Sequence, residues 1–272
     1  DRYYRQTKVQ PYYDFAPSRK AGEQMDAAKE RMSAWLNVGK DELHFGPSSS
    51  QNNYVIAQAL RRYLSPGDEV IVTNQDHEAN SGALSRLQDD GFVVREWKVD
   101  PDSAELNPKD LESLLGSRTR VVAFTHCSNV VGSINPVREL TDMIHRAGAW
   151  AFVDGVAFSP HGLPDIKALG ADLYTISMYK VYGPYIGAMF LHRDLNAALP
   201  NQGHFFNAGK PGSRFTPAGP DHAQIASVNG VMDYMDAIAE RHGFGGQPVL
   251  ARAAAVRSLF RDHETGLLQP LL

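Results

Sequence analysis

Residues 151–191, AFVDGVAFSPHGLPDIKALGADLYTISMYKVYGPYIGAMFL, decide how this chain is read. An apolar run ends at Asp154, and a second strand-like run spans 172–177 and is followed by Lys180. A Gly/Pro turn then leads into a third run. A carboxylate and an amine at the ends of central strands lose hydration, and that loss must be offset by pairing. The pattern therefore predicts a buried acid and a buried amine that together mark a site.

Outward from this stretch the pattern alternates between strands and helices. Upstream lie a strand at 149–153, a helix at 136–147 with Pro136 at its start, a strand at 120–125 and a helix at 107–115. Before them come a strand at 92–99, a helix at 77–90 capped by Asp76, and a strand at 69–73 that follows the turn Pro66-Gly67-Asp68. Nearer the start, Leu43-His44-Phe45 reads as a short strand, and Gly46-Pro47-Ser48-Ser49-Ser50 leads into a helix at 51–64. Met25, Ala28, Met32, Trp35 and Leu36 recur at helical spacing and stop near Asn37-Val38-Gly39. Residues 1–18 show no period and read as an irregular arm. Downstream, 201–219 is rich in Gly, Pro and Phe, and helices follow at 221–242 and 247–272. Strands separated by helices of this length need crossover connections, so the fold class is α/β with a mostly parallel sheet covered on both faces. In such sheets ligands sit beyond the carboxyl ends of the strands, where residues 73–77, 125–129 and 154–157 are expected to converge.

Bulk properties narrow the function. The chain has 272 residues, 43% of them hydrophobic, which is enough for one large domain or one domain and part of another. With 27 Lys and Arg against 31 Asp and Glu, the net charge of −4 carries no basic run, so neither nucleic acid nor an anionic membrane is an expected partner. The single cysteine, Cys127, excludes an internal disulfide framework and a Cys-based zinc cluster, and it suits a reducing compartment, with cytoplasm the expectation. It reads as a small buried side chain rather than a reactive thiol. No apolar run reaches the roughly 20 residues of a spanning helix, and the opening residues are not signal-like. The chain opens on Asp1 and stops inside a helical pattern at Leu272, so residues are expected beyond both ends.

Four polar features fall at the expected edge: Ser48 to Ser50, His77, Asp154, and Ser177 with Lys180. A hydroxyl-rich turn at a helix start suits an anion, because free N–H groups and the helix dipole point the same way. It equally suits plain helix capping. Singly, a Lys after a strand, a His at a helix start and an Asp after a strand are ordinary surface or cap residues. Their order and spacing raise the joint reading.

At these residues the sequence resembles the class V aminotransferases, fold-type I pyridoxal phosphate enzymes, and within them the cysteine desulfurase-like group. The resemblance runs from about Arg19 to the end. Residues 125–132, THCSNVVG, resemble that group's T-H-x-S-N-x-x-G segment. Val153-Asp154-Gly155 resembles V-D-G-A-Q, and residues 177–184, SMYKVYGP, resemble S-x-H-K-x-x-G-P. The resemblance implies a three-layer fold-type I large domain over 19–242, an arm at 1–18, and a helix at 243–272 leading to a truncated C-terminal small domain. It implies pyridoxal 5'-phosphate as cofactor, a small amino acid as substrate, no metal, and a homodimer with active sites at the interface, 204–215 being the expected crossing contact. By resemblance Lys180 forms the Schiff base with the cofactor aldehyde and then moves protons at the substrate α-carbon. Asp154 matches the acid that keeps the ring nitrogen protonated, His77 the histidine stacked on the ring, and Asn129 the partner of the phenolic oxygen. Ser49, Ser50 and Ser177 match the phosphate cup. Tyr179 replaces the His that precedes the lysine, and its hydroxyl is within expected reach of a phosphate oxygen.

Other departures accompany it. Ala157 stands where the group has Gln, and Ser48-Ser49-Ser50 replaces Gly-Thr-Thr. In residues 214–220, RFTPAGP, which resemble a segment reaching the partner's phosphate, Gly219 stands where Thr is usual. The group's sulfur-accepting cysteine and carboxylate-binding arginine fall beyond Leu272. The reading is thus a divergent, desulfurase-like enzyme that cleaves a C–S bond to give alanine. The alternatives are a class V aminotransferase, epimerase or other lyase acting on another amino acid, and a non-catalytic cofactor-binding or interaction protein. Ser177 and Lys180 satisfy S-x-x-K of serine hydrolases, but the supporting S-D-N and K-T-G elements do not occur. A metal hydrolase using His77, Glu78, His126 or His161 lacks an H-E-x-x-H pairing.

Overall fold

The computed structural model describes residues 1–271. Its centre is a seven-stranded sheet of β1 (Leu43–Gly46), β2 (Glu69–Thr73), β3 (Val93–Trp97), β4 (Thr119–Thr125), β5 (Trp150–Asp154), β6 (Leu173–Ser177) and β7 (Gly187–Leu191). The spatial order is β1-β7-β6-β5-β4-β2-β3. Strand β7 is antiparallel to both neighbours, and every other pair is parallel. The chain steps outward from β2 to β3 and then returns past β2 to β4, so the order reverses between β2 and β4. Such a reversal opens a crevice at the carboxyl ends.

The pleat sorts the strand side chains into two cores. Ile71, Val122, Phe124, Val153 and Ile176 face one helical layer, while Val70, Val72, Val121, Ala123 and Phe152 face the other. The first layer holds α2 (Ala16–Trp35), α6 (Val137–Arg146), α9 (His222–Arg241) and α10 (Val249–Leu268), with α1 (Arg2–Gln6) laid on α9. The second holds α3 (Ser49–Tyr63), α4 (Glu78–Ser85) and α8 (Arg193–Ala198). Two short helices, α5 (Pro108–Leu114) and α7 (Ile166–Leu169), complete the crossovers. Helix α2 ends where Asn37 takes φ 59°, a left-handed conformation that Asn tolerates better than most residues.

Three readings change. The opening arm is not wholly irregular: residues 2–6 are helical because Tyr3 is buried against α9, a tertiary cause that five residues of pattern do not reveal. Helix α8 buries only Leu195 and Asn196, too few to show a period. The start of α4 is capped by His77, whose Nδ1 accepts the Ala79 amide, and not by Asp76. Among the described residues no helix is long and apolar enough to cross a membrane.

Candidate functional site

The reversal between β2 and β4 brings the expected segments to one edge. His126 donates its amide to the Asp154 carbonyl at 2.8 Å, and Gly155 donates to Thr175 O at 3.0 Å, tying the ends of β4, β5 and β6 together. The buried Gln75 amide reaches Ser133 Oγ at 3.2 Å and accepts from Asn135 at 2.8 Å, which locks the end of β2 to the loop after β4.

Asp154 is buried, and both hydrogen bonds its carboxylate receives, from Val156 N at 2.8 Å and Thr175 Oγ1 at 3.5 Å, fall on Oδ1. Oδ2 has no protein partner among the described residues. Burial pushes this carboxyl up from its ordinary range, while Val156 N–H, His77, Lys180 and Thr175 pull it back. His77 and Lys180 are therefore near enough for their charge to act on Asp154, although they come from different strand ends.

Lys180 corrects an expectation, because it is exposed rather than buried. It closes a single 3-10 turn, Met178–Lys180, that carries its side chain past the sheet edge. His77, Asn129 and Ser50 are exposed too. Neither Asn129 nor Ser50 makes a side-chain hydrogen bond among the described residues, so the structure puts them on the right edge without joining them to the others. Tyr179 turns onto Tyr185, with ring centroids 4.6 Å apart and planes 12° from parallel.

The hydroxyl turn plays both of its expected parts. Ser48 Oγ accepts from Gln51 N at 3.1 Å and caps α3, whereas Ser49 Oγ lies 2.9 Å from Ser177 Oγ in the interior. The Ser49 and Ser50 amides, in the first turn of α3, have no intrahelical acceptor. Gly187 is required behind them, since a Cβ there would collide with the Ser48 carbonyl carbon and the Ser49 amide nitrogen.

Further groups escaped the sequence. The Asp76 carboxyl accepts from Thr73 Oγ1 at 2.8 Å and from Asn80 Nδ2 at 3.1 Å. Burial pushes it up to about 7 against those two hydrogen bonds, and the charge of Asp154 adds to the rise. Below Asp154, His126 stacks on Phe158 with centroids 3.6 Å apart and joins Tyr174 OH at 2.7 Å through Nδ1. Burial lowers the His126 imidazole to about 3, so it is neutral. His161 Nδ1 pairs with Glu264 at 2.9 Å, and among the described residues no three His, Cys, Asp or Glu side chains gather where they could hold a metal ion. Cys127 is buried as expected, and burial raises its thiol. No sequence pattern separates Asp76, whose carboxyl bonds Thr73 and Asn80, from an ordinary helix cap.

A cavity of about 1020 Å³ between α2 and residues 204–222 is lined by none of the expected site residues. A smaller one, about 220 Å³, lies beside the hydroxyl turn and is lined by Pro47, Gln51, Tyr185, Thr216 and Gly219. Arg214 anchors the 200–216 loop by donating to the Asn196 and Leu199 carbonyls.

A mostly parallel seven-stranded sheet with helices on both faces, an acid after β5 and a lysine after β6 defines the large-domain architecture of fold-type I pyridoxal phosphate enzymes. The apo cysteine desulfurase of Thermococcus onnurineus superposes with a TM-score of 0.78 at 21% identity, over 89% of this chain and 63% of that one, which speaks to fold alone. Residues 1–238 match the class V aminotransferase family, and the chain belongs to it. Its members use pyridoxal phosphate. Among curated relatives, the aminotransferase-like protein FGM3 of Gibberella zeae is 40% identical over 205 residues, covering 74% of this chain and 50% of the relative. A cysteine desulfurase of Serratia proteamaculans is 30% identical over 237 residues, covering 81% of this chain and 58% of the relative. The chain thus spans about half the length of these relatives.

Proposed function

We propose that this chain is the cofactor-binding large domain of a pyridoxal phosphate-dependent enzyme acting on a small amino acid, with cysteine desulfurase-like C–S cleavage as the leading reaction. The observation that carries the reading is the pairing of two opposite demands on neighbouring strands. The buried residue Asp154 on β5 presents a carboxylate oxygen, Oδ2, that no protein donor occupies among the described residues and that a protonated ring nitrogen satisfies, and the Ser49–Ser177 pair at the α3 terminus presents donors to a phosphate. The donor set fits the cofactor.

When bound, the cofactor supplies an electron sink for a carbanion at the substrate α-carbon. The chain supplies the rest. Ser49, Ser50 and Ser177 hold the phosphate, and Asp154 holds the proton on the ring nitrogen. His77 would lie over the ring, Asn129 would meet its phenolic oxygen and Tyr179 would reach a phosphate oxygen. Lys180 Nζ, exposed at the edge of the sheet, would hold the cofactor through its aldehyde and supply the base that moves the α-carbon proton. The large domain is taken as 19–242, with α10 leading toward a small domain.

A second reading, a lyase or aminotransferase acting on a different amino acid, is favoured by Ala157 and by the stacked Tyr179–Tyr185 pair beside Lys180. The similarity to an aminotransferase-like relative supports it as well. A homodimer is proposed too, because Phe205 and Phe206 are 88% and 59% exposed in the expected crossing segment. The sole thiol, buried and unpaired, suits the cytoplasm. Incubating the full-length protein and cofactor with cysteine and a dithiol reductant, which supplies the two electrons that release the transferred sulfur as sulfide, tests the reaction. Sulfide with equimolar alanine supports desulfuration, and alanine or pyruvate from other amino acids without sulfide overturns it in favour of the second reading.

A further inference from the structure

His77 is fixed by its own helix. Its Nδ1 accepts the Ala79 amide at 3.0 Å, which places the ring proton on Nε2 and leaves no free lone pair. The residue before it is built differently. Asp76 Oδ2 takes the Thr73 hydroxyl from the end of β2, and Oδ1 takes the Asn80 amide from the first turn of α4. Asn53 of α3 donates to Ala79 O at 2.8 Å and lies 3.5 Å from Asn80 Oδ1. The carboxyl therefore ties a strand end to α4 around the turn that presents His77, and Asn53 ties α3 to the same turn.

Asp76 also shares its corner with Asp154, and two carboxylates at low dielectric cannot both be charged without repulsion. Both charge states fit the pocket. The anion accepts both hydrogen bonds; the acid keeps the bond from Asn80 and donates Oδ2–H to Thr73 Oγ1, which needs only a rotation of that hydroxyl. The groups that act on Asp76 are the Thr73 hydroxyl at the end of β2, the Asn80 amide of α4 and the charge of Asp154 from β5, on which Lys180 after β6 and His77 act in turn.

We propose that Asp76, and not His77, is the proton-holding positioning residue of this site: it clamps the turn that presents His77, and by exchanging its proton with solvent it sets the negative charge Asp154 offers to the ring nitrogen. This rests on the cofactor reading of Asp154 and His77. Burial pushing the carboxyl up to about 7 places the exchange near neutral pH.

The sign is testable without cofactor. Between the unfolded value of 3.8 and about 7 the folded protein keeps a proton that the unfolded chain has released, so stability falls as pH rises through that window. Urea midpoints of the cofactor-free protein should fall from pH 5 to 8 in the wild type and fall less in Asp76→Asn. Thr73→Val, which keeps the fold and removes a donor to the anion, should move the fall to higher pH. With pyridoxal phosphate bound, Asp76→Asn should lower the pH midpoint of the visible absorption band by about one unit, because a negative charge near a protonated group has gone. Parallel cofactor-free profiles in all three proteins overturn the proposal whatever the cofactor does. A flattened cofactor-free profile with no visible band in the wild type overturns the cofactor reading, and the tuning role with it, and leaves Asp76 as a titrating clamp.

Discussion

Replacing Asp154 with Asn should change stability and cofactor affinity in opposite directions. The side chains are isosteric, so the bond from Val156 N to Oδ1 survives and only the charge is lost. In the cofactor-free protein that charge is buried, and an uncompensated buried ion costs several kcal/mol before hydrogen bonds and the His77 and Lys180 fields offset it. A net gain of about 1 kcal/mol is expected at pH 8, or about 2–4 °C in melting temperature. It should shrink as pH falls, because a carboxyl raised above its unfolded value destabilises the fold only where it must ionise. With cofactor the balance reverses. Breaking a buried ion pair costs about 3–5 kcal/mol, which corresponds to a loss of affinity of roughly 10² to 4 × 10³-fold. Calorimetric melting of the cofactor-free pair at pH 8 and pH 5, with equilibrium dialysis of pyridoxal phosphate at pH 8, measures both. An Asn variant that is less stable at pH 8 yet binds as tightly as the wild type would refute the reasoning, because Asp154 would then be a structural acid.

Other expectations follow from single contacts. Ser177→Ala removes one hydroxyl of the 2.9 Å pair with Ser49 and should weaken cofactor binding about 5–10-fold, read by the same dialysis, and cost about 1 kcal/mol of cofactor-free stability because the buried Ser49 hydroxyl loses its partner. Tyr174→Phe leaves the buried His126 Nδ1 without its 2.7 Å partner and should cost about 1–3 kcal/mol in urea unfolding with an unchanged m-value. His145 bonds Asp172 at 2.7 Å, and Asp172 raises its pKa. Its contribution is therefore complete below pH 6.5 and lost as pH rises through the higher folded value. His145→Gln should remove that part of the profile, under about 1 kcal/mol because the imidazole is half exposed.

How far the sequence reached depended on where each signal is stored. The strand Glu69–Thr73 was readable to the residue, because a Pro-Gly-Asp turn and a β-branched run are local facts. Asp221 was likewise readable as the start of α9, since its side chain accepts from Gln224 N three residues on. Asp76 was not, for its carboxyl takes the Thr73 hydroxyl and the Asn80 side chain instead of a helix amide, and only the folded chain separates it from the cap that His77 provides. The order of Asp154 and Lys180 after two strands was readable from pattern and resemblance. The burial of Asp154 was readable too, but the exposure of Lys180 was not: β6 carries Ser177 inside, and one further turn carries Lys180 out. Helix α8 and the helical opening depend on so few buried side chains that no period forms.

The central claim is that Lys180 and Asp154 serve one cofactor. An absorption spectrum of the purified protein with pyridoxal phosphate tests it most directly, run beside Lys180→Ala. The account predicts a visible band in the wild type that borohydride abolishes and that Lys180→Ala lacks. A wild-type protein that stays colourless with added cofactor, or a Lys180→Ala variant with the same borohydride-sensitive band, would contradict it.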